Sequence, residues 1–228
     1  MEIFQMFIKK ITIIVIALFI VNCAFSQVKF GIKAGVNSAS LSDVVEYHAD
    51  GSSMIQSRTD RMATGFHSGI FSNLSLGNVV SFQPELQFSM QGGKQVGING
   101  VLMPGPNLNY RLGYVQLPLL FEIKFDTINL SVLAGVQFSW NVSQKCIIYH
   151  NSGRQETISK SDTYYFDGIK KHDTGLVFGL QYRIIEKISI GVRYNLGLSN
   201  NWYYTSYYGK IAKGWKSNVF QIGLGFSF

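Results

Sequence analysis

The sequence predicts an all-β fold, an eight-stranded antiparallel transmembrane β-barrel with short periplasmic turns and four long external loops. Three observations carry this. Apolar residues alternate with polar or small ones in eight separate stretches, the period-two signature of strands with one greasy face. Charged residues make up 14% of the chain and aromatics 14%, whereas ordinary soluble domains are about 25% charged. The connections between the eight stretches alternate short and long without exception, as they do in transmembrane barrels.

The chain opens on a segment that does not belong to the barrel. Lys9 and Lys10 precede an apolar run from Ile11 to Val21, and Ala24-Phe25-Ser26 precedes Gln27. A positive region, a short apolar core and a small-x-small site read as a secretory signal over residues 1–26, with the barrel over 27–228. The run is too short for a membrane helix, which needs about 20 apolar residues. Met6 is an alternative start to Met1. Cys23 would suit a lipoprotein, but Asn22 before it is not the small residue such a site wants. Removal of Glu2, Lys9 and Lys10 takes the net charge from +7 to +6. No basic run accompanies that charge, so nucleic acid is not an expected partner. Only Cys146 remains after cleavage, which excludes an intramolecular disulfide.

The first strand, VKFGIKAGVN, sets Val28, Phe30, Ile32, Ala34 and Val36 against Lys29, Gly31, Lys33, Gly35 and Asn37. The second, around Met62 to Leu76, is the least regular, with Phe66, Ile70 and Leu74 outward and His67 and Phe71 inward. A tight turn at Gly77-Asn78 leads to the third, where Val80, Phe82, Leu86 and Phe88 alternate with Ser81, Gln83, Glu85 and Gln87. The fourth runs from about Tyr110 to Phe125, with Glu122 and Lys124 in its polar register. After a turn at Asp126-Thr127, the fifth runs from Asn129 to about Gln144, with Leu130 to Val142 giving the outward set. The sixth spans Thr174 to Ile184. A turn near Glu186-Lys187 gives the seventh, Ile188 to Leu198. The eighth is SNVFQIGLGFSF, ending on Phe228. The long connections fall at about 38–61, 92–109, 145–173 and 200–216. An even strand count puts both ends of the barrel on the short-turn side.

A soluble barrel of the same size would need a well-charged outer face. The polar register here is mostly Gly, Ser, Gln and Asn, which suits a narrow interior instead. The charges that do fall in that register are candidates for an interior network: Lys33, Glu85, Glu122, Arg183 and Arg193. On the lipid side an arginine would cost roughly 2–4 kcal/mol at the midplane, so inward is the cheap direction. Eight strands leave a lumen that side chains can fill. A plugged lumen is expected, with Glu85 and Glu122 paired to Arg183, Arg193 or Lys33. The last long loop carries Trp202, Tyr203, Tyr204, Tyr207, Tyr208 and Trp215 among lysines. These read first as an interfacial girdle, and second as a glycan or lipopolysaccharide contact. His48, His67, His150 and His172 show no metal spacing, and no cofactor motif is present. His172-Asp173 with a nearby serine would be the starting point for a hydrolase, a weak signal from adjacency alone.

The segments FGIKAGVNSASLS, TGFHSGIFSNLSLGNVVSFQPELQFSMQG, YVQLPLLFEIKF, LSVLAGVQFSW, VRYNLGLSN and VFQIGLGFSF resemble the PorT-family outer-membrane β-barrel proteins of Bacteroidota. The resemblance covers essentially the whole chain after residue 26. It implies location in the cell outer membrane among lipids and lipopolysaccharide, no catalytic motif and no cofactor. It further implies that Phe228 closes a C-terminal signal read by the barrel-assembly machinery, and that partners belong to secretion or the cell surface. The expected role is therefore non-enzymatic: structural, adhesive or secretion-accessory. The alternatives are a lipid-modifying or proteolytic outer-membrane enzyme, and a small-solute pore.

Overall fold

The computed structural model describes residues 28–41, 44–47, 53–96, 107–150, 153–159, 169–200, 202–205, 211–214 and 216–228. The expected signal over 1–26 lies outside them, as do His48, Tyr207, Tyr208 and Trp215. For Trp202, Tyr203 and Tyr204 only the backbone is described.

Eight long strands form the wall: β1 (Val28–Leu41), β3 (Ser53–Ser75), β4 (Val80–Val96), β5 (Asn107–Phe125), β6 (Leu130–Tyr149), β8 (His172–Ile185), β9 (Ile188–Gly197) and β12 (Ser217–Ser227). Each pairs antiparallel with its neighbour, and β1 pairs with both β3 and β12, so the sheet closes on itself. Closure leaves no wall strand with an unpaired edge, the condition for a sheet in lipid. Phe228 helps tie the seam, its N–H donating to the Phe30 carbonyl at 2.8 Å.

The two faces follow the sequence alternation. Phe30, Ile32, Val36, Phe66, Ile70 and Leu86 are exposed on the outside, as are Phe121, Val132, Phe178, Leu180, Ile222 and Leu224. Between them Asn37, His67, Gln83, Glu85, Gln116, Gln137 and Gln221 are buried inside. A continuous apolar exterior over a polar interior is the inverse of a soluble barrel and fits a hydrocarbon surround.

The three short links are the bend at 76–79, the 3-10 turn Asp126–Ile128 closed by Asn129 in the left-handed region (φ 54°), and the turn at Glu186-Lys187. At the opposite end the strands run on well beyond their expected limits. β1 reaches Leu41, β4 reaches Val96, β5 begins at Asn107 and β6 reaches Tyr149. Short strand β2 (Val44–Tyr47) pairs with β3, β11 (Ile211–Gly214) with β2 and β10 (Trp202–Thr205) with β11, and β7 (Gln155–Ser159) pairs with β6. Much of the expected long-loop sequence is thus a β-extension of the wall. The reason it escaped period-two reading is visible in β6. Tyr114 pairs with Asn141 and Gly113 with Ser143, so Val142 is an extra residue, a β-bulge. Inward positions are odd up to Asn141 and even from Gln144 to Ile148. Beyond the bulge, Leu41, Tyr110, Cys146, Ile148 and Ile158 form a small core inside the extension. The irregularity expected in the second strand also appears as register breaks between β3 and β4 near Arg58 and Met62.

Candidate functional site

The lumen is the site the fold builds. At mid-height Glu85 points inward from β4 and is 2% exposed. Its Oε2 accepts from Lys33 Nζ of β1 and from Arg193 Nη1 of β9, the latter at 2.8 Å. Its Oε1 accepts from Gln83 Nε2 at 2.8 Å. A buried carboxylate is tolerable only when paired and hydrogen-bonded, and here both oxygens are occupied. The other half of the same level is apolar: Leu120 of β5, Leu133 of β6 and Val177 of β8 pack together, with Leu120 and Leu133 at 0% exposure. Ionic and apolar groups together project into the lumen near this height.

Above this level lies a relay of amides and hydroxyls. Asn37 Nδ2 donates to the Phe66 carbonyl, Ser89 Oγ and the Met90 carbonyl at 2.9–3.0 Å. Its oxygen therefore accepts from His67 Nδ1, at 2.7 Å. Gln87 donates to Gln116 at 2.8 Å, and Gln116 and Gln137 both donate to Ser139. Below the plug a polar vestibule of about 430 Å³ opens at the short-turn end, bordered by Lys29, Lys124, Arg183, Glu186 and Lys187. Glu122 forms part of its lining, hydrogen-bonded by Asn73 Nδ2 and 3.9 Å from Lys124 Nζ.

Two glycines make room for this packing. A Cβ on Gly31 would meet the Phe71 ring at 2.3 Å, and one on Gly35 would meet His67 Cε1 at 2.6 Å and the Ile222 carbonyl oxygen at 2.1 Å. Glycine on these inward positions lets the larger rings of β3 lie across β1.

The expected network is thus only partly assembled. Glu85, Lys33 and Arg193 meet. Glu122 does not join them; it sits one layer toward the short-turn end with Asn73 and Lys124. Arg183 corrects the expectation: it bonds Asp126 at 2.7 Å at the mouth, with side-chain exposures of 41% and 63%. Arg183 is in the inward register but only three residues before the Glu186-Lys187 turn, so its height, not its facing, removes it from the plug. Sequence reasoning did not single out Asn37, Asn73 or Gln83, nor the apolar half made by Leu120, Leu133 and Val177.

The histidines fall in three different settings. His67 is buried in the lumen, and His150 lies between β6 and β7, 3.6 Å from Glu156. His172 is exposed on the outer face opposite Trp140, while Asp173 is buried inside opposite Ser139. Neighbouring strand residues point to opposite faces, so His172 and Asp173 stand on two sides of the wall. Among the described residues no three His, Cys, Asp or Glu groups converge as for a metal.

A family model described as an outer membrane protein β-barrel domain matches residues 24–203. The chain belongs to that family. The apolar exterior is therefore an outer-membrane surface, the short-turn end and its vestibule face the periplasm, and the β-extension projects outside the cell. No curated protein matches the sequence. Among solved structures the family barrel is similar to the attachment invasion locus protein Ail of Yersinia pestis in complex with the heparin analogue sucrose octasulfate (14% identity, 89% of this chain and 99% of that one, TM-score 0.43). It is also similar to Neisserial surface protein A (12% identity, 89% and 100% covered, TM-score 0.45) and to OprG from Pseudomonas aeruginosa (13% identity, 90% and 97% covered, TM-score 0.47).

Proposed function

We propose that the protein is a non-catalytic outer-membrane barrel whose lumen is closed by its own side chains, and whose role lies in the surface it presents outside the cell. That role is structural, adhesive or secretion-accessory, exercised through cell-surface or secretion partners and in contact with lipopolysaccharide. The observation that carries the reading is Glu85, held by Lys33, Arg193 and Gln83 across the barrel at the level where Leu120, Leu133 and Val177 fill the rest. A pore would need these groups to line water; here Lys33, Arg193 and Gln83 all bond Glu85. A hydrolase built on His172 and Asp173 would need both on one side of the wall.

On this reading the leader over residues 1–26 exports the chain, and the assembly machinery receives it through the terminal strand. Phe228, outward and 70% exposed at the periplasmic rim, is where such a signal would be read. The PorT-family resemblance and a source among Bacteroidota fit the same picture. The test is solute entry into liposomes carrying the refolded chain. Swelling in small sugars and amino acids is expected to match protein-free liposomes; entry at rates typical of open porins would contradict the reading.

A further inference from the structure

The charges that close the lumen do not balance. Lys33 and Arg193 bring two positive charges to one carboxylate, Glu85, so one positive charge is left over. His67, just above it, adds no negative charge in either protonation state. Glu122, one layer toward the periplasm, is already matched by Lys124. An uncompensated charge in a low-dielectric interior is costly, and a counter-ion beside it removes that cost.

A cavity beside the cluster has room for one. It measures about 30 Å³ and is lined by Lys33, Arg193, His67, Gln221 and Gly223, but not by Glu85. Gln221 is 1% exposed, and neither its amide nitrogen nor its oxygen has a hydrogen-bond partner. Buried side-chain amides are rarely left so, and an unpartnered one facing a cavity marks what the cavity holds. The space adjoins the periplasmic vestibule: Phe71, Gln83, Gln181 and Ser189 line both.

We propose that this cavity is a binding site for a small monovalent anion of about chloride size, held by the Lys33 ammonium, the Arg193 guanidinium and the Gln221 side-chain N–H. A space of about 30 Å³ suits one such ion or about two waters. The anion neutralises the plug from the side opposite Glu85. The site uses the same cluster that closes the lumen, yet it is judged separately. A conducting barrel would overturn the sealed-lumen reading and leave the anion site to its own test.

That test is crystallography of the refolded full chain in bromide, with data collected at the bromine edge. One anomalous peak is expected within hydrogen-bond reach of Lys33 Nζ and the Arg193 guanidinium. In Arg193→Met, where Lys33 and Glu85 balance one to one, the peak is expected to vanish. Gln221→Leu leaves the charges intact and removes one donor; bromide occupancy at a fixed subsaturating concentration is expected to fall about tenfold in affinity terms. It keeps the test open should Arg193→Met not fold. Water density without anomalous signal in the unmutated chain would overturn the proposal, as would a peak undiminished in either folded variant.

Discussion

Glu85 is the carboxylate on which two cations depend. Removing its charge leaves Lys33 and Arg193 buried against each other, the costly way to break a buried ion pair. Glu85→Gln is expected to destabilise the barrel by about 3–5 kcal/mol, read as a lowered urea midpoint for loss of the folded band on a heat-modifiability gel. Asp126 makes the opposite case. Its bond to Arg183 lies in solvent at the mouth, so Asp126→Asn is expected to shift stability by no more than about 1 kcal/mol in the same assay. Equal effects from the two substitutions would mean the plug is wet. At this scale the sequence told which residues face inward, because a charge on the lipid side is expensive. It did not tell which of them meet. Lys33, Glu85 and Arg193 sit on β1, β4 and β9, and the stagger that brings them to one height accumulates over several strand pairs. Arg183 was misplaced for the same reason: facing is local, height is not.

Among the elements, the wall strands were legible because lipid and lumen impose opposite demands on alternate residues. Legibility failed where both faces are enclosed. Leu120, Leu133 and Val177 are apolar in the inward register, so they blur the alternation of β5, β6 and β8. The bulge at Val142 hid the continuation of β6 by switching its parity, and the residues beyond it read as loop. Two predictions belong here. Gly35→Val would drive a side chain into the Ile222 carbonyl and His67, and is expected to cost about 1–3 kcal/mol of stability by urea titration. A Cβ at Gly191 meets only the Leu180 carbonyl oxygen, at 3.5 Å, so Gly191→Ala is expected to stay within about 0.5 kcal/mol. In the extension, Cys146 is at 0% exposure within an apolar cluster. It is expected to resist maleimide in the folded barrel and to react once urea unfolds it. Rapid labelling of the folded form would show that the extension opens on its own.

The whole molecule reads as a wall, a plug and a projecting rim. Fold and location followed from composition, alternation and the long-short rhythm of the connections, since only a closed barrel satisfies an apolar exterior made of strands. The activity did not, because the period-two alternation that reveals a wall carries no ligand or substrate chemistry. The central claim is that the lumen between periplasmic vestibule and external rim is shut. Single-channel recording of the refolded chain in a planar bilayer tests it most directly. The account predicts no steady conductance from the unmutated barrel across ordinary voltages in molar salt. Long-lived openings of uniform size would contradict it, and would turn Lys33, Glu85 and Arg193 from a plug into the lining of a pore.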